Sequence, residues 1–178
     1  MSRVHETLTP FVVLAAVDLS DASESIVDRA LDLASDHPGA SLHLVSVREL
    51  GLELLPPPHD LYGSPLYPLR EIAAKAGVSA RARGLVRVAK IVTHAAEGDP
   101  AAEIIALAAD VDADLVVVGT HGRSGLRRAL MGSVAEGVVR RAGCPVYVMR
   151  PKQHAHDRFL VQDARAEGAA NAHPTSER

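Results

Sequence analysis

The chain has 178 residues, 47% apolar and 23% charged, with a formal net charge of −3. That length suits one domain able to bury about 70% of its unfolded surface, and the charge excludes an overall basic field that would recruit nucleic acid or acidic membranes. Aromatic residues make up 3% with no Trp, which leaves no stacking platform for single-stranded nucleic acid, and the single cysteine, Cys144, excludes an intrachain disulfide and suits a reducing, cytoplasmic setting.

The start, Met1 to Glu6, lacks an apolar run behind a basic region, so no secretory signal is expected, and no stretch approaches the ~18 apolar residues of a membrane span. After a polar lead-in to Pro10, Phe11 to Val17 is an unbroken apolar run of strand length. Such a run without alternation points to a strand buried on both faces, as in a parallel sheet between helices. Asp18-Leu19-Ser20-Asp21 breaks it. Ile26, Ala30, Leu33 and Ala34 then recur at helical spacing until Pro38-Gly39. Leu42 to Val47 reads as a second strand. Residues 51–69 hold five of the prolines and read as a loop, a lid or spacer in preference to a partner-binding segment. Arg70 to Gly84 has helical composition, and Leu85 to Ala95 alternates as a third strand.

Gly98-Asp99-Pro100 opens the next helix, with Asp99 as cap and Pro100 in the first turn. Its apolar stripe is Ile104, Ile105, Leu107, Ala108 and Val111. Leu115 to Val118 is the clearest buried strand. A glycine-bearing loop follows from Gly119, then a helix from Ser133 to Ala142, and a last strand from Pro145 to Met149. Residues 151–178 are polar and are expected to form a largely disordered tail, leaving 1–150 as the domain. Strands alternating with helices predict an α/β fold, a parallel sheet covered on both faces.

The loop after the fourth strand carries the chemistry. Gly119 and Gly122 leave the strand, and Gly132-Ser133 stands at the mouth of a helix. Phosphate binding needs several backbone N–H groups to come close, and glycine removes the side chains that would block them. The helix N-terminus adds donors and a positive dipole end. Neither the dinucleotide fingerprint nor the Walker loop is present, since no glycine follows the first strand and no Gly-Lys-Ser/Thr follows the fourth. From spacing alone a second reading stays open: Gly119 ends a strand, and Ser133 with Glu136 forms a capping box that needs no ligand.

Taken together, Val17-Asp18 with Ser20, Gly98-Asp99-Pro100, the run from Leu115 to Gly122, Gly132 to Glu136, and Cys144-Pro145-Val146 resemble the universal stress protein family in its nucleotide-binding form. The resemblance covers roughly residues 9–150, and the family's ATP motif stands intact as Gly119, Gly122, Gly132 and Ser133. It implies a Rossmann-like, adenine nucleotide alpha hydrolase-like sheet of five parallel strands in the order 3-2-1-4-5, with the ligand at the carboxyl ends between strands 1 and 4. It implies further that Asp18 and the Val47 backbone hold the adenine end. Gly119, Gly122, Gly132 and Ser133 hold ribose and phosphates, with backbone help from His121, Arg123 and Val134. ATP or another adenine nucleotide, with magnesium, is the implied ligand. A homodimer through Pro145 to Met149 and an unidentified regulatory protein are the implied partners.

Without a ligand, Asp18 reads as a helix cap; Arg127 and Arg128 read equally as a solvated loop face or, with Arg123, as forked contacts that neutralise a triphosphate. His121 has no nearby carboxylate to make it a base, and no Walker acid is evident. A cytoplasmic regulator is therefore expected ahead of a slow ATP hydrolase or nucleotidyl-transfer enzyme on the same site, with no catalytic residue assigned. Cys144 reads as a buried structural thiol, Met131 as packing beneath the glycine loop, and His154, His156 and Asp157 as solvated tail residues with no metal to hold.

Overall fold

The computed structural model describes residues 10–49, 66–85, 88–120 and 131–150. Among these residues five strands and four helices alternate: β1 (Val12–Ala16), α1 (Ala22–Ser35), β2 (Ser41–Arg48), α2 (Leu66–Ala82), β3 (Lys90–Glu97), α3 (Pro100–Asp110), β4 (Leu115–Gly119), α4 (Ser133–Arg141) and β5 (Val146–Met149). The sheet is parallel throughout, in the order β3-β2-β1-β4-β5. The expected order 3-2-1-4-5 is therefore the observed one, and chain direction across the sheet reverses between β1 and β4.

Period-two alternation sends successive strand residues to opposite faces. Val13, Ala15, Leu42, Leu44 and Val117 meet α1 and α2 through Ile26, Val27, Ala30, Leu31, Leu69 and Ala76. Leu14, Val45, Val116 and Val118 meet α3 and α4 through Ala101, Ile104, Ala108, Ala135 and Val138. Both faces are buried, which is why β1 and β4 are continuous apolar runs. Leu14 is wholly buried, and truncating such a side chain to Ala costs about 2–5 kcal/mol.

The turns follow local chemistry. The Asp99 carboxylate accepts the Ala102 N–H at 3.3 Å and Pro100 fills the first turn of α3, where its missing N–H costs nothing. Gly39, at φ +81, turns the chain from α1 into β2, a conformation that favours glycine.

Several expectations are corrected. The loop expected over 51–69 ends earlier, because α2 begins at Leu66 with Pro68 inside its first turn; the remainder of that loop, through 65, lies outside the described residues. The third strand begins at Lys90 in place of Leu85 and runs on to Glu97. Leu85 and Val88 pack on the α1–α2 core from outside the ladder. Met131, expected beneath the glycine loop, is exposed. Cys144 is half-buried instead of fully buried; burial, then the nearby Asp114 charge, raises its thiol pKa, which keeps it a poor nucleophile. The tail, 151–178, is outside the described residues.

Candidate functional site

The strand register builds the site in rows. One row crosses all five strands, with His94 opposite Val45, Val45 opposite Ala16, Ala16 opposite Val118 and Val118 opposite Val148. Two residues further along, β2 carries Val47, β1 runs into Asp18 and β4 runs into Thr120. Asp18, Val47 and the exit of β4 at Gly119 thus stand side by side at the carboxyl ends of three adjacent strands. This is the place where open α/β sheets hold ligands.

Gly132 joins them through the backbone. Its N–H donates to the Thr120 carbonyl at 2.8 Å, and the Thr120 N–H donates to Met149 at 2.8 Å. The mouth of α4 is thereby tied to the end of β4, and Gly119, Gly132 and Ser133 come together although 12 residues separate the first two. Gly132 is the N-cap residue of α4 at φ −62°, ψ 153°, an extended backbone that any residue adopts. Backbone strain therefore does not require a glycine here. Val134 and Val47 both pack on the α3–α4 core, which anchors the first turn of α4.

The capping-box reading of Ser133 and Glu136 does not hold. Ser133 lies inside the helix, the cap makes no side-chain hydrogen bond, and Glu136 pairs with Arg140 at 2.7 Å, one turn on. Nor does Asp18 cap α1, because Asp21 occupies the N-cap position. Asp18 Oδ1 instead accepts from the Ser20 N–H at 3.1 Å, the Ser20 hydroxyl at 2.6 Å and the buried Ser23 hydroxyl at 3.2 Å. Between them Leu19 takes φ +63, a left-handed conformation uncommon for a leucine. The β1–α1 turn is thus wound around one carboxylate oxygen, a use that sequence inspection missed although Ser20 and Ser23 stand in plain view.

Of the remaining expected site residues, His121, Gly122 and Arg123 lie outside the described residues, as do Arg127 and Arg128. Surface hollows among the described residues lie elsewhere, between α1 and α2, lined by Glu24, Asp28, Ile72 and Lys75 and by Leu19, Asp21 and Glu71. They belong to the opposite helical layer from α4. No helix among the described residues is long and apolar enough to cross a membrane.

These features define a doubly wound α/β domain with a glycine-bearing helix mouth at its topological switch point. The profile of the universal stress protein family matches residues 11–150, and the chain belongs to that family. The universal stress protein YxiE of Bacillus subtilis is 30% identical over 148 residues, covering 78% of this chain and 97% of that one. A universal stress protein of Methanocaldococcus jannaschii is 52% identical over 65 residues, which span 36% of this chain and 38% of that relative. Among solved structures, a universal stress protein in complex with cAMP is similar with a TM-score of 0.56 at 28% identity, over 80% of this chain and 98% of that one.

Proposed function

We propose that the protein binds an adenine nucleotide, ATP foremost, at the carboxyl ends of β1 and β4, and acts in the cytoplasm as a regulator whose nucleotide state a partner protein reads. The observation that supports this reading is the Gly132-to-Thr120 backbone bond, which ties the N-terminus of α4 to the end of β4, and a helix N-terminus suits an anionic ligand. In it, Asp18 and the Val47 backbone take the base, and Gly119, Gly122, Gly132 and Ser133 take ribose and phosphates, with His121, Arg123 and Val134 helping through their backbone. The cAMP complex of the 28% identical relative supports the ligand class. In this reading magnesium accompanies the nucleotide on its phosphates, as that ion commonly does.

The test is mass spectrometry of ligand released from the purified protein, followed by calorimetry with ATP, AMP and cAMP, with and without magnesium. An adenine nucleotide at near-stoichiometric occupancy, or micromolar binding of one of the three, is expected. No binding of any of them overturns the reading. The same calorimetry on a chain ending at Gln153 tests whether residues 1–150 suffice as the binding domain, with unchanged affinity expected.

The proposal includes a homodimer through β5. Among the described residues this edge strand has a neighbour on one side only, an open edge that proteins usually cover or pair. Val148 faces the α3–α4 core of its own subunit, so charge placed there harms the fold as well as the edge. Tyr147 is 37% exposed and is the cleaner position: Tyr147→Asp should turn a dimer seen by light scattering into a monomer. A monomeric unaltered chain at micromolar concentration removes the dimer from the proposal.

A further inference from the structure

Two rows of the sheet contain one polar residue each. Val92, His43, Leu14, Val116 and Val146 form one row, and His94, Val45, Ala16, Val118 and Val148 form the next. Each histidine stands where the apolar layer beneath α3 and α4 reaches the β2–β3 seam. His43 Nδ1 lies 3.0 Å from His94 Nε2. The ring planes differ by 16° with centroids 5.1 Å apart, the separation of two imidazoles meeting edge to edge in nearly one plane.

This geometry selects a proton over a metal. The facing nitrogens point at each other, and an ion between them would sit about 1.5 Å from each, well inside the about 2.0–2.1 Å of a zinc–nitrogen bond. An N–H···N hydrogen bond fits the space, one ring donating and the other accepting. One added proton settles on the outer nitrogen of the donor ring and keeps this N–H···N bond; a further proton, which makes both rings imidazolium, leaves two N–H groups facing each other, and the bond becomes a repulsion.

We propose that the His43–His94 pair is an acid-responsive latch on the β2–β3 seam, and that its protonation loosens the end of the sheet that holds the nucleotide. The position supports this. His94 lies opposite Val45, and the Val45 carbonyl accepts the Val17 N–H at 2.9 Å. Val17 precedes Asp18, and Val47 is the next residue of β2 on the same face. The latch is thus one row beneath the residues assigned to the base. β3 lies at an edge of the sheet, and among the described residues β2 is its one strand neighbour, so no second strand holds it where the latch opens.

The electrostatics run in the same direction. His43 is 8% exposed, and burial, then His94, then Lys90 lower its pKa below the ordinary value of 6.5. Burial also lowers that of His94. From β3 the charged groups facing the pair are His94 itself and Lys90. α3 turns the apolar side chains of Ala101, Ile104 and Ala108 to this layer, and its acidic residues Glu103 and Asp110 shift neither imidazole. A pKa lower in the folded chain than in the unfolded one means that the unfolded chain binds more protons. Stability from the pair is therefore present above pH 6.5 and is lost as pH falls through the folded-state values.

The regulatory half of this inference rests on the nucleotide-site reading, and the experiment separates the two. Hydrogen-exchange protection of the β3 amides and ATP affinity by calorimetry are measured at pH 7.5 and 5.0 for the full chain and for His94→Gln, which keeps a hydrogen-bonding partner but does not titrate. Between those pH values the unaltered chain should lose about tenfold more β3 protection, and about tenfold more ATP affinity, than the variant, the order expected for linkage to one proton. Should His94→Gln not fold at pH 7.5, the double variant His43→Leu with His94→Val, which completes the apolar rows, replaces it. Equal loss of β3 protection in the unaltered chain and the variant overturns the latch whatever ATP does. An acid-opened seam in a chain that binds no ATP at either pH keeps the latch and overturns the site reading. ATP binding that ignores the seam's opening overturns the coupling.

Discussion

The two helical layers differ in how closely their helices approach. α1 and α2 are joined at their rim by long charged side chains: Lys75 meets Glu24 at 2.7 Å, and Arg83 reaches Asp28 at 3.8 Å and also Asp32. α3 and α4 meet through their smallest residues. A Cβ on Gly137 would stand 2.9 Å from the Ala101 Cβ, and Ala108, Ala113 and Ala135 fill the same core. Exposed ion pairs have adjustable geometry and contribute little, whereas close backbone approach has one solution. The tightly placed layer is the one that carries Gly132 and Ser133. Binding by backbone N–H groups tolerates little displacement, so the helix that would present them is the helix with no slack.

The strongest way to break this contrast is to leave the packing alone and block the helix mouth. Gly132→Val puts a branched side chain over the first N–H groups of α4 at a φ and ψ that valine accepts. We expect the melting temperature to stay nearly constant while ATP affinity falls by at least about 100-fold, roughly 2.7 kcal/mol. Calorimetry reads the affinity. Unchanged binding would leave the tight layer with no ligand to position.

Next comes the packing itself. Gly137→Ala should help an isolated helix by up to about 1 kcal/mol. Here the new methyl collides with Ala101, and overpacking of this kind costs about 1–3 kcal/mol. A net loss of about 1–2 kcal/mol in denaturant unfolding is expected, recovered in part by adding Ala101→Gly, as coupled neighbours should be. If Gly137→Ala stabilises the protein, the layer has slack after all.

How much of this was legible in the sequence depended on whether the cause was local. β1 and β4 read correctly because burial on both faces writes itself as an unbroken apolar run. Asp99 and Pro100 announce α3 because capping involves only adjacent residues. Pro68 misled, being taken as a breaker when it stands in a first turn that has no intrahelical N–H bond to lose. Leu85 reads as the start of the third strand because the alternation begins there, yet it packs on the core from outside the ladder. Ser133 and Glu136 have capping-box spacing, but Gly132 takes the cap and Arg140 takes the glutamate. The Gly132-to-Thr120 bond and the His43–His94 contact join residues 12 and 51 positions apart. No periodicity reports such pairs: the histidine contact follows from the β2–β3 register, and the Gly132 bond from the return of the chain to the end of β4.

The smallest expected effect tests the loosely joined layer. Arg83 closes α2 onto α1 through Asp28 and Asp32, and its side chain is 39% exposed. Solvent screens both pairs, and holding a long side chain in place costs rotamer freedom that offsets much of the attraction. Beneath them the layer is already held by Ile26, Ala30, Leu69, Ala76 and Ala80. Arg83→Ala should therefore lower stability by no more than about 0.5 kcal/mol, and that difference should shrink further in 0.5 M salt. The ATP affinity should not move, since Arg83 lies at the far end of α2 from the β1–α1 turn and in the layer opposite α4. Denaturant unfolding at two salt concentrations, with calorimetry beside it, makes the check. A loss above about 2 kcal/mol would show that the charged pairs, and not the apolar residues under them, hold α2 to the sheet, and the contrast between the two layers would fall with it.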